Sequence, residues 1–305
     1  MHFLQQIIIY LQQQNRRAFY LAFLRVALCA WYLKELFCRW PAFELIYSNH
    51  SFVNEDSAYI FRFFRQHLYW LRDHHMLIIY VCILLLLLNL FGIGKNIVSF
   101  LLYIALVILD GINIKFGNTG DAMALILAFY LIFANSFSYF TLFKQRTLSP
   151  SRQKMYNLLS NLVAYAIMLN LCVAYLASGF SKLQDAYWQN GTAIHYFLNY
   201  ERHSIFAMDN YVALPAFAVK LLNYGTILFE LSFTFLVMFR KTRVAALLMG
   251  LLMHACIYII MMIYGMTFIF IMQYGIFYRD DEVLSFLKKI KNKFIMNRSL
   301  PGLQL

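Results

Sequence analysis

Charge is the first scarcity. Charged residues make up 13% of the chain and acidic ones number only 14, against a hydrophobic share of 62%. A soluble domain carries about twice that charged fraction, so most of the chain is expected to sit in lipid. Cysteine is thin as well. Cys29, Cys38, Cys82, Cys172 and Cys256 are scattered through apolar stretches with no CxxC pair, so neither a disulfide framework nor a zinc site is implied. Metal-ligand spacing, a nucleophile elbow, a phosphate loop, internal repeats and low-complexity segments are all missing. The first apolar span holds Arg25, Lys34 and Glu35, and no small-residue cleavage site follows it. It reads as a retained helix and not a signal peptide, with no soluble domain before it or after the last span. Sequons at Asn49, Asn190 and Asn297 are frequent by chance and decide nothing.

What the chain does have is a series of apolar runs. About 20 apolar residues cross a bilayer as a helix. Candidate spans fall at 18–38, 76–92, 97–116, 121–143, 157–180, 216–239 and 244–263, and a short further one at 264–278 if Gly265 turns the chain. The net charge of +12 is carried by short basic blocks, not by a surface suited to nucleic acid. These blocks are Lys144, Arg146, Arg152 and Lys154, then Arg240, Lys241 and Arg243, then the tail from Arg279 to Arg298. Lys and Arg gather in cytoplasmic loops, and an even number of spans puts all the blocks on one side with Arg16, Arg17 and Lys95. The expectation is an all-α, polytopic membrane bundle of about eight transmembrane helices in the inner membrane, both termini cytoplasmic, with the lipid bilayer as its first partner. Phe61, Phe63, Phe64, Leu68, Tyr69, Trp70 and Leu71 alternate with Arg62, Arg65 and Arg72, which predicts an interfacial amphipathic segment on the outer face.

The stretch from Tyr175 to Tyr200 gathers the most polar groups at a membrane boundary. It leaves an apolar span, reaches Lys182, and continues through Asp185, Trp188 and Gly191 to His195. On general grounds a lysine there is an interfacial anchor whose stem reaches back to the headgroups. Ser178, Gly179 and Ser181 beside it are small, however, and let another helix or a ligand come close. Other ionisable groups within spans are Arg25, Asp110, Asp121, Lys220, Glu230 and His254, each costly there and each a candidate for function. The bland alternatives are a bridge from Arg25 to Glu230 or Asp110, a helix-to-helix hydrogen bond for His254, and an N-terminal capping role for Asp121 after Asn118 and Gly120. Glu230, near mid-span, needs a partner, a proton or a water-filled cavity. Asp121 is expected on the same side as Lys182, where the two can face one cavity.

Ser178-Gly179, Lys182-Leu183, Trp188, Gly191 and Tyr196-Phe197-Leu198 together resemble the signature of the horizontally transferred transmembrane domain family, the bacterial relatives of vitamin K-dependent gamma-carboxylase. Ala22–Val26, Gly120-Asp121 with Ala128-Phe129 and Phe133, and Glu230 followed by Gly250 and His254 resemble further family segments, so the likeness covers about residues 15–280 and leaves 281–305 as a basic cytoplasmic tail. Within the family, Ser-Gly-Phe-Ser-Lys-Leu and Trp-Gln-Asn-Gly-Thr-Ala are similar to the members that mature a secreted, sporulation-delaying peptide toxin. The resemblance implies that Lys182 is the base that deprotonates a quinol, of menaquinol or vitamin K type, which oxygen then turns into a stronger base acting on a peptide glutamate. It also implies Asp121, Glu230 and His254 as catalytic partners, and Ser178, Gly179, Trp188 and Arg25 at the cofactor. A lysine drawn into an apolar setting suits the work of a base. The chain departs from the carboxylase in lacking a lumenal substrate-recognition domain and in having Ser181 where a second lysine precedes the base. The expected function is modification or maturation of a secreted peptide, together with a partner maturation protein. The rivals are a non-enzymatic accessory subunit of a peptide export complex, and a transporter.

Overall fold

The computed structural model describes residues 2–51, 65–112, 117–143, 148–200, 214–285 and 288. Phe61 to Phe64, the basic residues Lys144 and Arg146, and the tail beyond 288 lie outside the described residues. Every regular element described is helical. In order these are α1 (His2–Gln13), α2 (Ala18–Arg39), a 3-10 turn Trp40–Ala42 leading into α3 (Phe43–Tyr47), α4 (Arg65–Asp73), α5 (His75–Leu90), α6 (Lys95–Ile112) and α7 (Thr119–Phe133). There follow α8 (Pro150–Gln184), α9 (Ala186–Gln189), α10 (Ala193–Leu198), α11 (Ala216–Met238), α12 (Arg240–Ile260) and α13 (Tyr264–Gln273), the last running into a 3-10 turn Tyr274–Phe277.

This is an all-α chain with the helices of a membrane protein. α6, α8, α11 and α12 are long and apolar enough to cross a bilayer, while α5, α7 and Tyr264–Phe277 are apolar but shorter. α8, at 35 residues, is about 52 Å long at 1.5 Å per residue, well beyond the roughly 30 Å of a hydrocarbon core. The main buried core joins α2, α5, α6, α7, α8, α11, α12 and α13, and a smaller one gathers Trp188, Ala193 and Ile227. Apolar side chains also remain exposed on the outside of the long helices, among them Leu169, Val173, Leu228, Phe235 and Leu252. In water such a surface would drive aggregation, whereas against lipid tails it carries no penalty.

Two boundaries differ from the expectation. The span read at 121–143 ends as a helix at Phe133. The chain beyond is held in an irregular loop by Arg25, whose side chain takes up the carbonyls of Ser136, Tyr139 and Phe140, and Phe140 has φ 55°. The turn within 244–278 is made by Met261 to Ile263, with Met262 at φ 55°, and not at Gly265, which lies inside α13. α12 and α13 then pack antiparallel: Tyr258 meets Tyr264 (ring centroids 4.8 Å), and His254 meets Phe270 (5.1 Å). α1 is a helix that the span count passes over. Asn157 and Asn161 of α8 donate to the carbonyls of Gln12, Leu11 and Gln14, which ties α1 to the first turns of α8.

Candidate functional site

Among the described helices α8 and α11 share the most extensive contact, and a buried polar grouping lies inside it. They run antiparallel: Thr234 donates to the Cys172 carbonyl at 3.1 Å, and further along Asn223 donates to the Trp188 carbonyl at 2.7 Å. Their approach is close because Gly179 has no side chain. A Cβ there would lie 2.8 Å from Leu231 Cδ2 and 3.3 Å from the Leu231 amide nitrogen.

Tyr175, Ser178 and Lys182 stand at i, i+3 and i+7, on one face of α8. Across from them Glu230 projects from α11. The Lys182 ammonium donates to Glu230 Oε2 (2.8 Å), Glu230 Oε1 (2.9 Å) and Ser178 Oγ (2.7 Å), so all its hydrogens have an acceptor. The Lys182 side chain keeps 19% of its exposure and that of Glu230 only 7%. At such depth an ion pair is held by geometry and hydrogen bonding, because desolvation offsets much of the Coulomb attraction.

A short turn brings an aromatic lid over the pair. Asp185 caps α9, with Oδ1 accepting the amides of Tyr187 (2.9 Å) and Trp188 (3.2 Å), and this folds the chain back on itself directly after α8. The Trp188 indole thereby sits 5.1 Å from the Lys182 ammonium, within cation–π range. Gly191 reverses the chain at φ 72°, a conformation that suits glycine, and lies against the Lys220 stem and the Tyr224 hydroxyl. Tyr224 in turn donates to the Gln189 carbonyl at 2.9 Å. The N-terminal half of α11 thus grips the turn that positions Trp188.

One to two turns deeper, on the same faces, lies a second polar cluster. The Tyr175 hydroxyl lies 2.9 Å from His254 Nε2 and is also hydrogen-bonded to the Tyr274 hydroxyl. The Tyr175 ring stacks on Phe233 of α11 with centroids 4.0 Å apart. His254 is 2% exposed and its Nδ1 has no partner among the described residues.

Of the residues singled out from sequence, Lys182, Glu230, Ser178, Gly179 and Trp188 come together, and His254 belongs to the adjoining cluster. Asp121 and Arg25 go elsewhere. Asp121 completes a capping box with Asn118 and pairs with Arg39 at the end of α2 at 3.5 Å, and its contacts do not include Lys182. Arg25 bridges neither Glu230 nor Asp110. Its guanidinium, fully buried, donates to the carbonyls of Ser136, Asn89, Leu90, Tyr139 and Phe140, which commits every N–H it has. That makes it a clamp between the end of α5 and the loop after α7. Tyr175 and Tyr274 were not singled out. The i, i+3, i+7 spacing with Ser178 and Lys182 marks Tyr175 in the sequence, but nothing local marks Tyr274. No protein-family profile, curated protein or solved structure matches the chain.

Proposed function

We propose that the chain is an inner-membrane protein of about eight transmembrane helices, both termini cytoplasmic, built on the carboxylase-like core of the horizontally transferred transmembrane domain family. Its role is modification or maturation of a secreted peptide, in concert with a partner maturation protein, and Lys182 is its base. The observation that carries this reading is the Lys182–Glu230 pair itself, closed at 2.8 Å between two apolar helices and lidded by Trp188. A buried ionisable pair at membrane depth is costly to keep and marks a place where protons are handled.

The residues present suit a quinol headgroup: a hydroxyl that must lose a proton, a flat indole beside it, and a Lys182 side chain not sealed from outside. A quinol held there would supply, with oxygen, the strong base that a carbon acid in a peptide demands. The chain's own part is narrower. An ammonium is no base, so a proton first leaves Nζ for the Glu230 carboxylate, and the neutral amine then takes the quinol proton. Ser178 Oγ holds the amine in place through this exchange, and the Trp188 indole, 5.1 Å away, covers one side of it.

The test is intact mass spectrometry of small secreted peptides from cells making the wild-type protein, Lys182→Ala, Lys182→Met/Glu230→Gln, or none. A mass change present only with the wild type, in membranes that hold equal amounts of each variant, supports the reading, and a gain of one carbon dioxide identifies carboxylation. Unchanged masses with every form would remove the base assignment.

One observation favours a second reading, an accessory subunit of a peptide maturation complex: the ammonium already has three acceptors, as a packing pair would. In that case the double variant, with both charges gone, supports peptide maturation as well as the wild type, and a partner protein co-purifies with both.

A further inference from the structure

Away from the Lys182 pair, positive charge gathers where the start of α2 meets the segment after α13. The Asp280 amide donates to the Arg16 carbonyl at 2.9 Å, so Arg16, Arg17 and Arg279 all stand within one residue of a single backbone bond. Each of the three has a buried guanidinium nitrogen with no hydrogen-bond partner among the described residues: Arg16 Nε, Arg17 Nη1 and Arg279 Nε. Arg17 lies deepest, at 6% exposure. Its Nε donates to the Ile276 carbonyl at 2.6 Å, and its guanidinium carbon is 5.4 Å from the centre of the Tyr165 ring of α8. The acids beside the cluster are committed elsewhere. Asp280 accepts the Phe19 amide, Asp281 pairs with Arg279 Nη2 at 2.8 Å, and Glu282 takes the Arg279 amide and Arg240. Asp280 and Glu282 act on Arg17 only from beyond ion-pair distance. A buried guanidinium with an open N–H and no carboxylate in contact is costly, and an anion that accepts from it removes that cost.

The surroundings say what kind of anion fits. α1 contains no Asp, Glu, Lys or Arg, and Phe3, Ile7 and Tyr10, at i, i+4 and i+7, make one exposed apolar face. That face ends at Arg16, whose guanidinium lies 3.8 Å over the Tyr10 ring. Asn161 of α8 fixes the junction, accepting the Arg16 amide at 3.3 Å and donating to the Leu11 and Gln14 carbonyls. Guanidinium groups beside an apolar wall, at the point where a membrane helix begins, match a ligand with a phosphate at one end and hydrocarbon at the other. A headgroup that brings its own ammonium would set that charge against the arginines, so the match is to an anionic lipid and not a zwitterionic one. We propose that Arg16, Arg17 and Arg279 form a headgroup site for an anionic phospholipid whose acyl chains lie along α1. The phosphate accepts from Arg17 Nη1 at the bottom of the site and from Arg16 and Arg279 at its sides. Because α1, the start of α2, α8 and the segment after α13 meet here, the lipid ties the two ends of the chain together. The site stands apart from Lys182 and does not depend on its role as a base.

The test uses the full chain, delipidated in a mild detergent and titrated with phosphatidylglycerol, phosphatidylcholine or inorganic phosphate, with native mass spectrometry and the unfolding midpoint as readouts. Phosphatidylglycerol should be retained as a single bound lipid and raise the midpoint, with phosphatidylcholine weaker by about tenfold or more. Arg16→Gln and Arg17→Gln should each weaken phosphatidylglycerol by about tenfold or more. Lys241→Gln, which removes an exposed charge from the next basic block, should leave binding unchanged. Arg17 also holds the Ile276 carbonyl, so if Arg17→Gln fails to fold, Arg16→Gln and Arg279→Gln decide the matter. Equal binding of the two lipids, full retention of phosphatidylglycerol in Arg16→Gln and Arg279→Gln, or an equal loss in Lys241→Gln would overturn the headgroup site. Stabilisation by inorganic phosphate that phosphatidylglycerol neither matches nor displaces would assign the cluster to a free anion and overturn the lipid.

Discussion

At the scale of single residues, the energetics of Lys182 and Glu230 are those of a pair. Taking away one member strands the other in a low-dielectric interior, which costs about 3–5 kcal/mol, whereas replacing both with uncharged residues of similar shape is often close to neutral. Lys182→Ala and Glu230→Ala should each lower the unfolding midpoint in detergent, Glu230→Ala the less, because the ammonium it leaves behind can reach toward water by way of its 19% exposed side chain. Lys182→Met/Glu230→Gln should recover most of the loss. If the double variant were as unstable as the two singles combined, the residues would be acting independently and the bridge would carry no energy. Sequence alone picks out each of these residues, since a charge in an apolar run is visible one letter at a time. The partners are not visible, because they depend on which helices cross and at what height. Hence Glu230 is matched with Lys182 where Arg25 seemed available, and Arg25 with a set of backbone carbonyls that no side-chain pattern encodes.

Helix packing decides whether the pair can form at all. Gly179 sets how near α8 and α11 approach, and a Cβ at that point collides with Leu231. Gly179→Val should force the helices apart at a cost of about 1–3 kcal/mol and stretch the Lys182–Glu230 contact, which a loss of cross-linking between cysteines placed on the two helices beside it would report. Normal cross-linking and stability in Gly179→Val would show that the crossing yields elsewhere. A different tie acts through Arg25, which holds the end of α5 and the 136–140 loop with five donors. Arg25→Lys keeps the charge but offers at most three donors on a point-like head. The buried carbonyls left unmet cost about 1–3 kcal/mol each, so the lysine variant should unfold well below the wild type, and equal stability would refute the clamp. Helix ends were legible where lipid demands an unbroken apolar run: α2, α5, α11 and α12 begin within a few residues of the hydropathy boundaries. They were illegible where a distant side chain takes over the backbone, as after Phe133, or where an unremarkable residue adopts positive φ, as at Met262.

For the whole molecule, the outstanding question is the parity of the crossings, and the closure of the chain's two ends bears on it. The start of α2 and the segment after α13 are bonded together. Asp280 Oδ2 accepts the Phe19 amide at 2.9 Å, Arg17 Nε donates to the Ile276 carbonyl at 2.6 Å, and Tyr20 donates to the Met272 carbonyl at 2.6 Å. Asp280 thereby caps a helix more than two hundred residues away in sequence; burial pushes its carboxyl up, against the pull of the amides of Phe19, Tyr20 and Ala18. In the proposed topology the chain enters the membrane at residue 18 and returns to the same level at residue 280, and so crosses an even number of times. The alternative, in which 244–278 is one long span, puts the basic residues after 278 on the opposite face from Arg240, Lys241 and Arg243, against the positive-inside tendency. It also needs a continuous helix where α12 and α13 fold back on each other. Single cysteines placed at 242, 262 and 284 in a background freed of the native ones should therefore label from two sides: 242 and 284 only after permeabilisation, 262 in intact cells. Labelling of 284 from outside would make the count odd, and it would separate the basic tail from the side on which Arg16 and Arg17 lie.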